Sequence, residues 1–440
     1  MNSVVRARGV GKAQSHADHN LSPGAALPPS TVQRGLRLSI VEGALSNIHI
    51  SITTGAFLTG FALLLGAGDF ELGVIGALPF IGQLFQFVGA YLEERLGQRR
   101  RLVALTAGSS RTLWALVAAL PFTGGLGGAR LPIFLLLVAI SQALIGIAGN
   151  AWTSWMSDLV PPRQRGRYFG VRNTITSVTA MGSTWLAGHA LDHYRGAGDD
   201  AMGYGLIFGL AVITAIAGAI VLSRQPEPPI PRRQRVPVAT LFSAPLRHQH
   251  FRALILTATG WAMVTGIASP FFNAYGIQDL KLSFVTLALF AVATSAVMLI
   301  TQPYIGRIQD RYGDRRVLIA SVVGVIMLPW GWVLSTPTFL APVWATSIFS
   351  GIFWPGITQG LLNLVMDRAP SEGRGAYVAA YGAVTGIGTL AASLLGGVIA
   401  TGLGATILHI GPLTLNHYAI LFVMSSLGRA AMALVFARRL

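Results

Sequence analysis

Long apolar runs set the layout of this chain. Runs of about 20 residues, each able to cross a hydrocarbon core of about 30 Å as a helix, recur along most of its length. With soft ends they cover 38–65, 70–94, 102–122, 131–157, 168–191, 203–223, 250–275, 283–306, 317–335, 339–366, 375–401 and 416–437. Lipid offers the backbone no hydrogen-bond partners, so runs of this kind fold as helices. Two stretches break the pattern. Residues 1–37 are polar and rich in Pro, Gly, Ser, His and Arg, which predicts a disordered tail and not a signal peptide. Residues 224–249 include Pro226, Pro228, Pro229, Pro231, Arg232, Arg233 and Arg235 and read as a linker. The expectation is an all-α membrane protein of twelve transmembrane helices, with six-helix halves at 38–223 and 250–440.

Polar residues inside the runs fall in stripes. Glu42, Ser46, His49 and Thr53 are spaced 4, 3 and 4, which places them within about 60° of one another on a helix. Polar groups are costly in lipid unless they face a cavity or a partner. His49 lies about 15 Å into the first run. It is either a proton carrier, since imidazole titrates near neutrality, or a neutral histidine bonded between helices. The fifth run repeats the spacing with Arg172, Thr176, Thr179 and Ser183. Arg172 either snorkels to the interface or enters the interior as an anion clamp or the partner of Glu42. Arg111 and Arg429 are expected to pair or to snorkel. The fourth and tenth runs carry matching polar residues, Asn150 with Gln359 and Ser154 with Asn363, and Gln142 lies about two turns from Asn150. Trp261 and the kinked Trp354-Pro355-Gly356 segment lie near mid-depth. Amides and tryptophans together suit a solute with an apolar face and hydroxyl or carbonyl groups; helix–helix packing is the competing use. Gln86 and Gln302 are candidates for a hydrogen bond between helices, and Trp152 and Trp155 for the interfacial belt.

Composition sharpens the membrane reading. The chain is 52% hydrophobic and 11% charged, with mean hydropathy +0.59. Its net charge of +16 would point to nucleic acid in a soluble protein, but the placement of the arginines argues otherwise. They crowd alternate loops: Arg95 and Arg99 to Arg101, then Arg163, Arg165 and Arg167, the linker, Arg307, Arg311, Arg315 and Arg316, and finally Arg368 and Arg374. The intervening loops hold only Arg130, Arg195 and Lys281. Cations gather on the cytoplasmic side of membrane proteins, so both termini and the linker are expected there, in the inner membrane, facing anionic lipid and not nucleic acid. With no cysteine in the chain, thiol chemistry is excluded.

Two loops are written twice. Ala90-Tyr91-Leu92-Glu93-Glu94-Arg95-Leu96-Gly97-Gln98-Arg99-Arg100 lies over Gly306-Arg307-Ile308-Gln309-Asp310-Arg311-Tyr312-Gly313-Asp314-Arg315-Arg316, matching Arg95 with Arg311, Gly97 with Gly313 and the terminal arginine pairs. Ser157-Asp158-Leu159-Val160-Pro161-Pro162-Arg163-Gln164-Arg165-Gly166-Arg167-Tyr168 likewise matches 366–377 at Asp367, Pro370, Arg374, Gly375 and Tyr377. The pattern Gly-x-x-x-Asp-Arg-x-Gly-x-Arg-Arg resembles the loop signature of the major facilitator superfamily, where it occurs once in each half. That resemblance implies two pseudo-symmetric halves with a substrate site at mid-depth between them. It also implies a conformational latch at Glu94, Arg95, Gly97, Gly306, Asp310, Arg311, Gly313 and Arg315, beside the plainer role of basic loops that set topology. Glu94 stands where the pattern has Asp and Ala90 where it has Gly. The fourth-helix arginine of several proton-coupled members is missing, and so is the Gly-Pro pattern of antiporters in the fifth helix.

No enzyme is expected. A phosphate loop with its lysine is absent, which argues against direct ATP drive, and neither a cofactor nor a metal is expected. His189 and His193, flanking Asp192, have metal-ligand spacing but read as incidental. The expected function is secondary active or facilitative transport of a small organic solute by alternating access, by a monomer among membrane lipids, with the proton as a candidate coupling ion through Glu42, His49 or Arg172. Efflux of amphipathic compounds is the alternative within transport; from another class, a non-transporting scaffold is the alternative.

Overall fold

The computed structural model describes residues 27–229, 247–370, 374–411 and 413–439. Most of the linker and the tail before residue 27 lie outside them. The helices are α1 (Pro29–Ile52), α2 (Gly55–Leu64), α3 (Asp69–Leu96), α4 (Arg99–Thr112), α5 (Trp114–Ala119), α6 (Arg130–Leu159), α7 (Arg165–Gly196) and α8 (Asp200–Ser223) before the linker. After it come α9 (Gln249–Gly266), α10 (Phe271–Gln278), α11 (Phe284–Tyr312), α12 (Asp314–Gly324), α13 (Leu328–Val333), α14 (Ala341–Arg368), α15 (Arg374–Leu403) and α16 (His417–Arg439). A two-stranded antiparallel hairpin, β1 (Leu408–Ile410) and β2 (Leu413–Leu415), precedes α16.

These helices form twelve rods among the described residues, because four of the rods are broken. The pair α1 and α2 bends by 41°. There the Thr53 and Thr54 hydroxyls donate back to the His49 and Ile50 carbonyls, and Gly55 takes a left-handed φ of 62°, which only glycine adopts readily. Pro270 separates α9 from α10, and Pro329 follows the break between α12 and α13. Among the described residues ten helical segments are long and apolar enough to cross a membrane, and the bent pair makes eleven. The twelfth rod, α7, is 32 residues long, but its arginines, threonines and serines keep it from meeting that hydropathy level. The first helix starts at Pro29, so residues 29–37 of the expected tail are helical.

Three apolar cores among the described residues show how the halves meet. Two lie at the arginine-rich end, one in each half: Leu102, Trp155, Met156 and Leu159 in the first half, and Phe251, Trp261, Val365 and Phe436 in the second. The third, at the opposite end, is shared. Phe57, Phe61 and Tyr204 of the first half join Phe271, Phe284, Tyr418 and Phe422 of the second. The halves are thus fused at one face and separately packed at the other. Close backbone approach helps the fusion: a Cβ on Gly73 of α3 would fall 2.8 Å from Gly397 Cα of α15, a spacing only a residue without a side chain permits.

Candidate functional site

A large cavity, about 830 Å³, lies between the halves and is walled mainly by the second. Trp261 on α9 and Trp354 on α14 border it, their rings 6.2 Å apart and inclined by 55°. Pro355 sits in the interior of α14 directly after Trp354, where it removes a backbone donor and loosens the turn. Trp332, Phe80 and Phe272 add apolar wall. Thr265, Thr385 and Thr389 donate their hydroxyl protons to the carbonyls of Trp261, Tyr381 and Thr385, one turn back on their own helices. Their oxygens keep lone pairs to offer a solute's N–H or O–H groups. Gln83 enters from α3 and Arg429 from α16. A second cavity of about 320 Å³ is more evenly shared by the halves and carries Asn47, Ser51, Thr54, Thr184 and Asn273.

Of the residues expected to line a solute site, Trp261 and Trp354 border the large cavity. The stripe Glu42, Ser46, His49, Thr53 is one buried face, as its spacing requires, but it turns into the first half and away from the large cavity. His49 Nδ1 lies 3.1 Å from the Ala211 carbonyl; a carbonyl only accepts, so Nδ1 carries the proton. The ring meets Trp114 edge-on at 5.9 Å. Thr53 caps the end of α1. Glu42 accepts from Ser46 and lies 3.4 Å from Arg111 and 3.8 Å from Arg172. Arg172 therefore pairs inward and stacks 4.6 Å over Trp152, instead of clamping a solute. Gln142 and Asn150 lie half-buried off both cavities. Gln359 faces Gly306 of α11. Asn363 donates to Asp314 at 2.8 Å, tying the loop ahead of α12 to α14. Gln86 and Gln302 are exposed and form no bridge with each other.

The duplicated loops are held by neighbours of the residues expected to form the latch. Gly97 and Gly313 take left-handed φ values of 63° and 85°, which explains the glycines. Glu94, Arg95, Asp310 and Arg311 are exposed; Arg95 reaches Tyr91, and Arg311 stacks on Tyr312. Buried Arg99 takes the central place instead. It pairs with Glu93 at 2.7 Å and Asp158 at 2.6 Å, and its backbone N–H donates to Glu227. In the second copy Arg315 donates to the Ala437 carbonyl at 2.8 Å. These ties stay within one half or join it to the start of the linker.

Polar contacts between the halves gather at the opposite face. Asp192 of α7 caps the start of α11, while His189 and His193 pack on Trp185 and Tyr194. Asp69 accepts from Tyr418 and lies 3.4 Å from His417. Ser393 donates to the Gly73 carbonyl at 2.9 Å. Beside them Asn416 donates to Asp279. Partial burial raises the Asp279 carboxyl above its ordinary range, against the opposing pull of His417, Asn416 and Lys281.

The sequence did carry an unused pointer to the cavity wall. Tyr381, Thr385, Thr389 and Ser393 step by four along α15, as do Trp261 and Thr265 along α9 with Ser269 in the turn just after it. All of them but Ser393 border the cavity.

A sequence model described as Major Facilitator Superfamily matches residues 43–393. The chain is 26% identical over 158 residues to "Efflux pump apf11" of Gibberella fujikuroi, a match spanning 35% of this chain and 27% of that relative. Among solved structures it resembles the nucleoside transporter NupG, with TM-score 0.68 and 12% identity over 93% of this chain and 98% of that one. It also resembles a bacterial homologue of the iron transporter ferroportin. The inward-facing state of that homologue gives TM-score 0.67 at 14% identity, covering 94% of this chain and 99% of the other. Its outward-facing state with soaked iron gives 0.56 at 15% identity, covering 93% and 98%. With its duplicated loops, two helical halves and the family match over most of its length, the chain belongs to the Major Facilitator Superfamily of multi-pass membrane transporters.

Proposed function

We propose that this protein carries a small organic solute across the membrane by alternating access, as a secondary active or facilitative transporter. The observation that carries the reading is the asymmetry of its two faces. A shared core and the Asp192, Asp69 and Gly73 contacts close one face, while separate cores let the halves part at the other. Rocking residues 29–223 against 249–439 breaks the seal and brings the arginine-rich loops together, exposing the cavity to each side in turn. The higher TM-score with the inward-facing ferroportin homologue than with its outward-facing state supports the same assignment. The arginine-rich face is cytoplasmic, in the inner membrane, because cations are retained on that side. Proton coupling runs through the buried Glu42–Arg111–Arg172 cluster, which joins three helices of the first half; His49 supports that cluster from its place on the same helix face. A monomer suffices, since both halves and the cavity come from one chain.

Efflux of amphipathic compounds is the second reading. Its own observation is the tryptophan-lined, largely apolar wall, and the stretch shared with a fungal efflux pump agrees with it.

Because the chain has no cysteine, single cysteines report accessibility cleanly. Gln164→Cys should react with an impermeant thiol reagent only from the cytoplasmic side, and Gly196→Cys only from outside. Thr265→Cys in the cavity should react from the cytoplasmic side at rest and change its rate when a transported solute is added. Reaction of Gly196→Cys from the cytoplasm overturns the orientation. A Thr265→Cys rate unchanged across a solute screen overturns alternating access.

A further inference from the structure

Arg429 is the one ionised side chain on the wall of the large cavity among the described residues. It is 3% exposed and sits about 18 Å along α16 from His417, near mid-depth, so snorkelling to an interface is out of reach. The expectation that it would pair is not met either. Nη1 donates to the Val325 carbonyl at 3.0 Å, Nε is buried without a partner, and no carboxylate pairs with it among the described residues. Val325 lies at the break between α12 and α13, where carbonyls are freed, yet the adjoining Ile326 carbonyl is met by the neutral Ser426 hydroxyl. The break therefore does not demand a charge.

The first half shows how this chain treats a buried arginine when the role is internal. Arg111 is similarly buried, and Glu42 stands 3.4 Å from it. An unpaired buried cation is costly; placed on a cavity wall, it is a counter-charge waiting for a ligand. We propose that Arg429 is the anion-binding residue of the solute site, and that the site takes amphipathic organic monoanions. The carboxylate of such a solute meets the free edge of the guanidinium, its apolar body lies among Trp261, Trp332 and Trp354, and its N–H or O–H groups meet the lone pairs of Thr265, Thr385 and Thr389. This rests on the transport reading above and names the solute class for it.

The test is a binding panel on the purified full-length protein in nanodiscs of phosphatidylcholine. Each carboxylate is compared with its neutral amide and its amine: indole-3-acetate with indole-3-acetamide and tryptamine, and aliphatic and phenyl sets built the same way. Ligands that bind the folded state raise its unfolding temperature by mass action. The carboxylates should bind about ten- to a hundredfold more tightly than their amides, the scale of a charge-assisted hydrogen bond. Arg429→Lys should keep that preference and Arg429→Met should lose it. Without ligand, Arg429→Met should unfold no earlier than wild type, because it removes an unpaired charge. The ligand comparison on wild type stands even if a variant fails to fold.

Amides binding as tightly as carboxylates, or a preference that survives in Arg429→Met, overturns the proposal. So does equal stabilisation by inorganic phosphate alone, which would make the site one for free anions, or loss of carboxylate binding on adding phosphatidylglycerol, which would make it a lipid site. Each of these leaves alternating access standing. That reading falls separately, through an unresponsive Thr265→Cys.

Discussion

Asp192 and Phe284 belong to opposite halves, and the carboxylate of the first accepts a 2.7 Å hydrogen bond from the backbone N–H of the second. Its other oxygen takes the Val285 N–H at 2.8 Å. These donors open α11 and have no partner within their own helix, and the helix dipole favours an anion there. Arg195 lies 5.5 Å from the Phe284 ring and adds a cation at the same seam. The contact is directional and polar, so water can replace it when the halves part. It can work as a gate where a purely apolar seam would resist opening.

Removing that cap should loosen the sealed face. Asp192→Ala forfeits charge-assisted bonds worth about 1.5–3 kcal/mol, which shifts the balance of states by about tenfold or more. An impermeant reagent applied from the sealed side should label Thr265→Cys faster by that order in the Asp192→Ala background. Asp192→Asn, which keeps an acceptor without the charge, should fall between. Equal labelling in all three would remove this contact from the gate.

Glu42 is the carboxylate that buried Arg111 and half-buried Arg172 share. Glu42→Gln leaves Arg111 and Arg172 without a counter-charge and should cost about 3 kcal/mol or more, as breaking a buried pair does. Thermal unfolding in detergent reads this directly. Glu42→Leu combined with Arg111→Met should be less destabilised than the two single variants summed, since the pair is then replaced by apolar volume. Additive losses would show that the two side chains do not depend on each other.

Asp279 predicts a pH dependence at the sealed face. Its carboxyl is raised by burial from an ordinary value of 3.8, so the folded protein holds that proton more tightly than the unfolded chain does. The stability it contributes is present in full below the unfolded value and is lost as pH climbs through the raised one. Asp279→Asn stays neutral throughout. Its unfolding midpoint relative to wild type should therefore rise on going from about pH 4 to about pH 7. A constant difference over that interval would mean the carboxyl is not held in its protonated form by folding.

The loop glycines were legible early because a left-handed turn leaves a local mark. Gly97 and Gly313 recur in register, and both hold positive φ. The charges beside them were less legible. Glu93 and Glu94 are neighbours in sequence, yet only Glu93 turns toward Arg99, because side chains one residue apart on a helix point about 100° away from each other. Two tryptophans of the cavity were found from their depth. Thr265, Thr385 and Thr389 were not, since a hydroxyl bonded to its own helix looks the same on a packed face as on a wet one.

Sequence alone determined the membrane class, the positions of the helices and the doubling of the chain, for these follow from hydropathy over about 20 residues and from motifs that repeat in register. It also determined that Glu42, Ser46, His49 and Thr53 share a face, because helical periodicity is local. Which neighbour that face meets was decided only by tertiary structure. A helix packed in a half-bundle has one polar-tolerant side toward its own half and another toward the cavity, and spacing alone cannot tell them apart. The same holds for two of the buried arginines. Arg111 and Arg429 look alike in sequence, and only the packing of distant helices brought an acid to the first and set the second on a cavity wall.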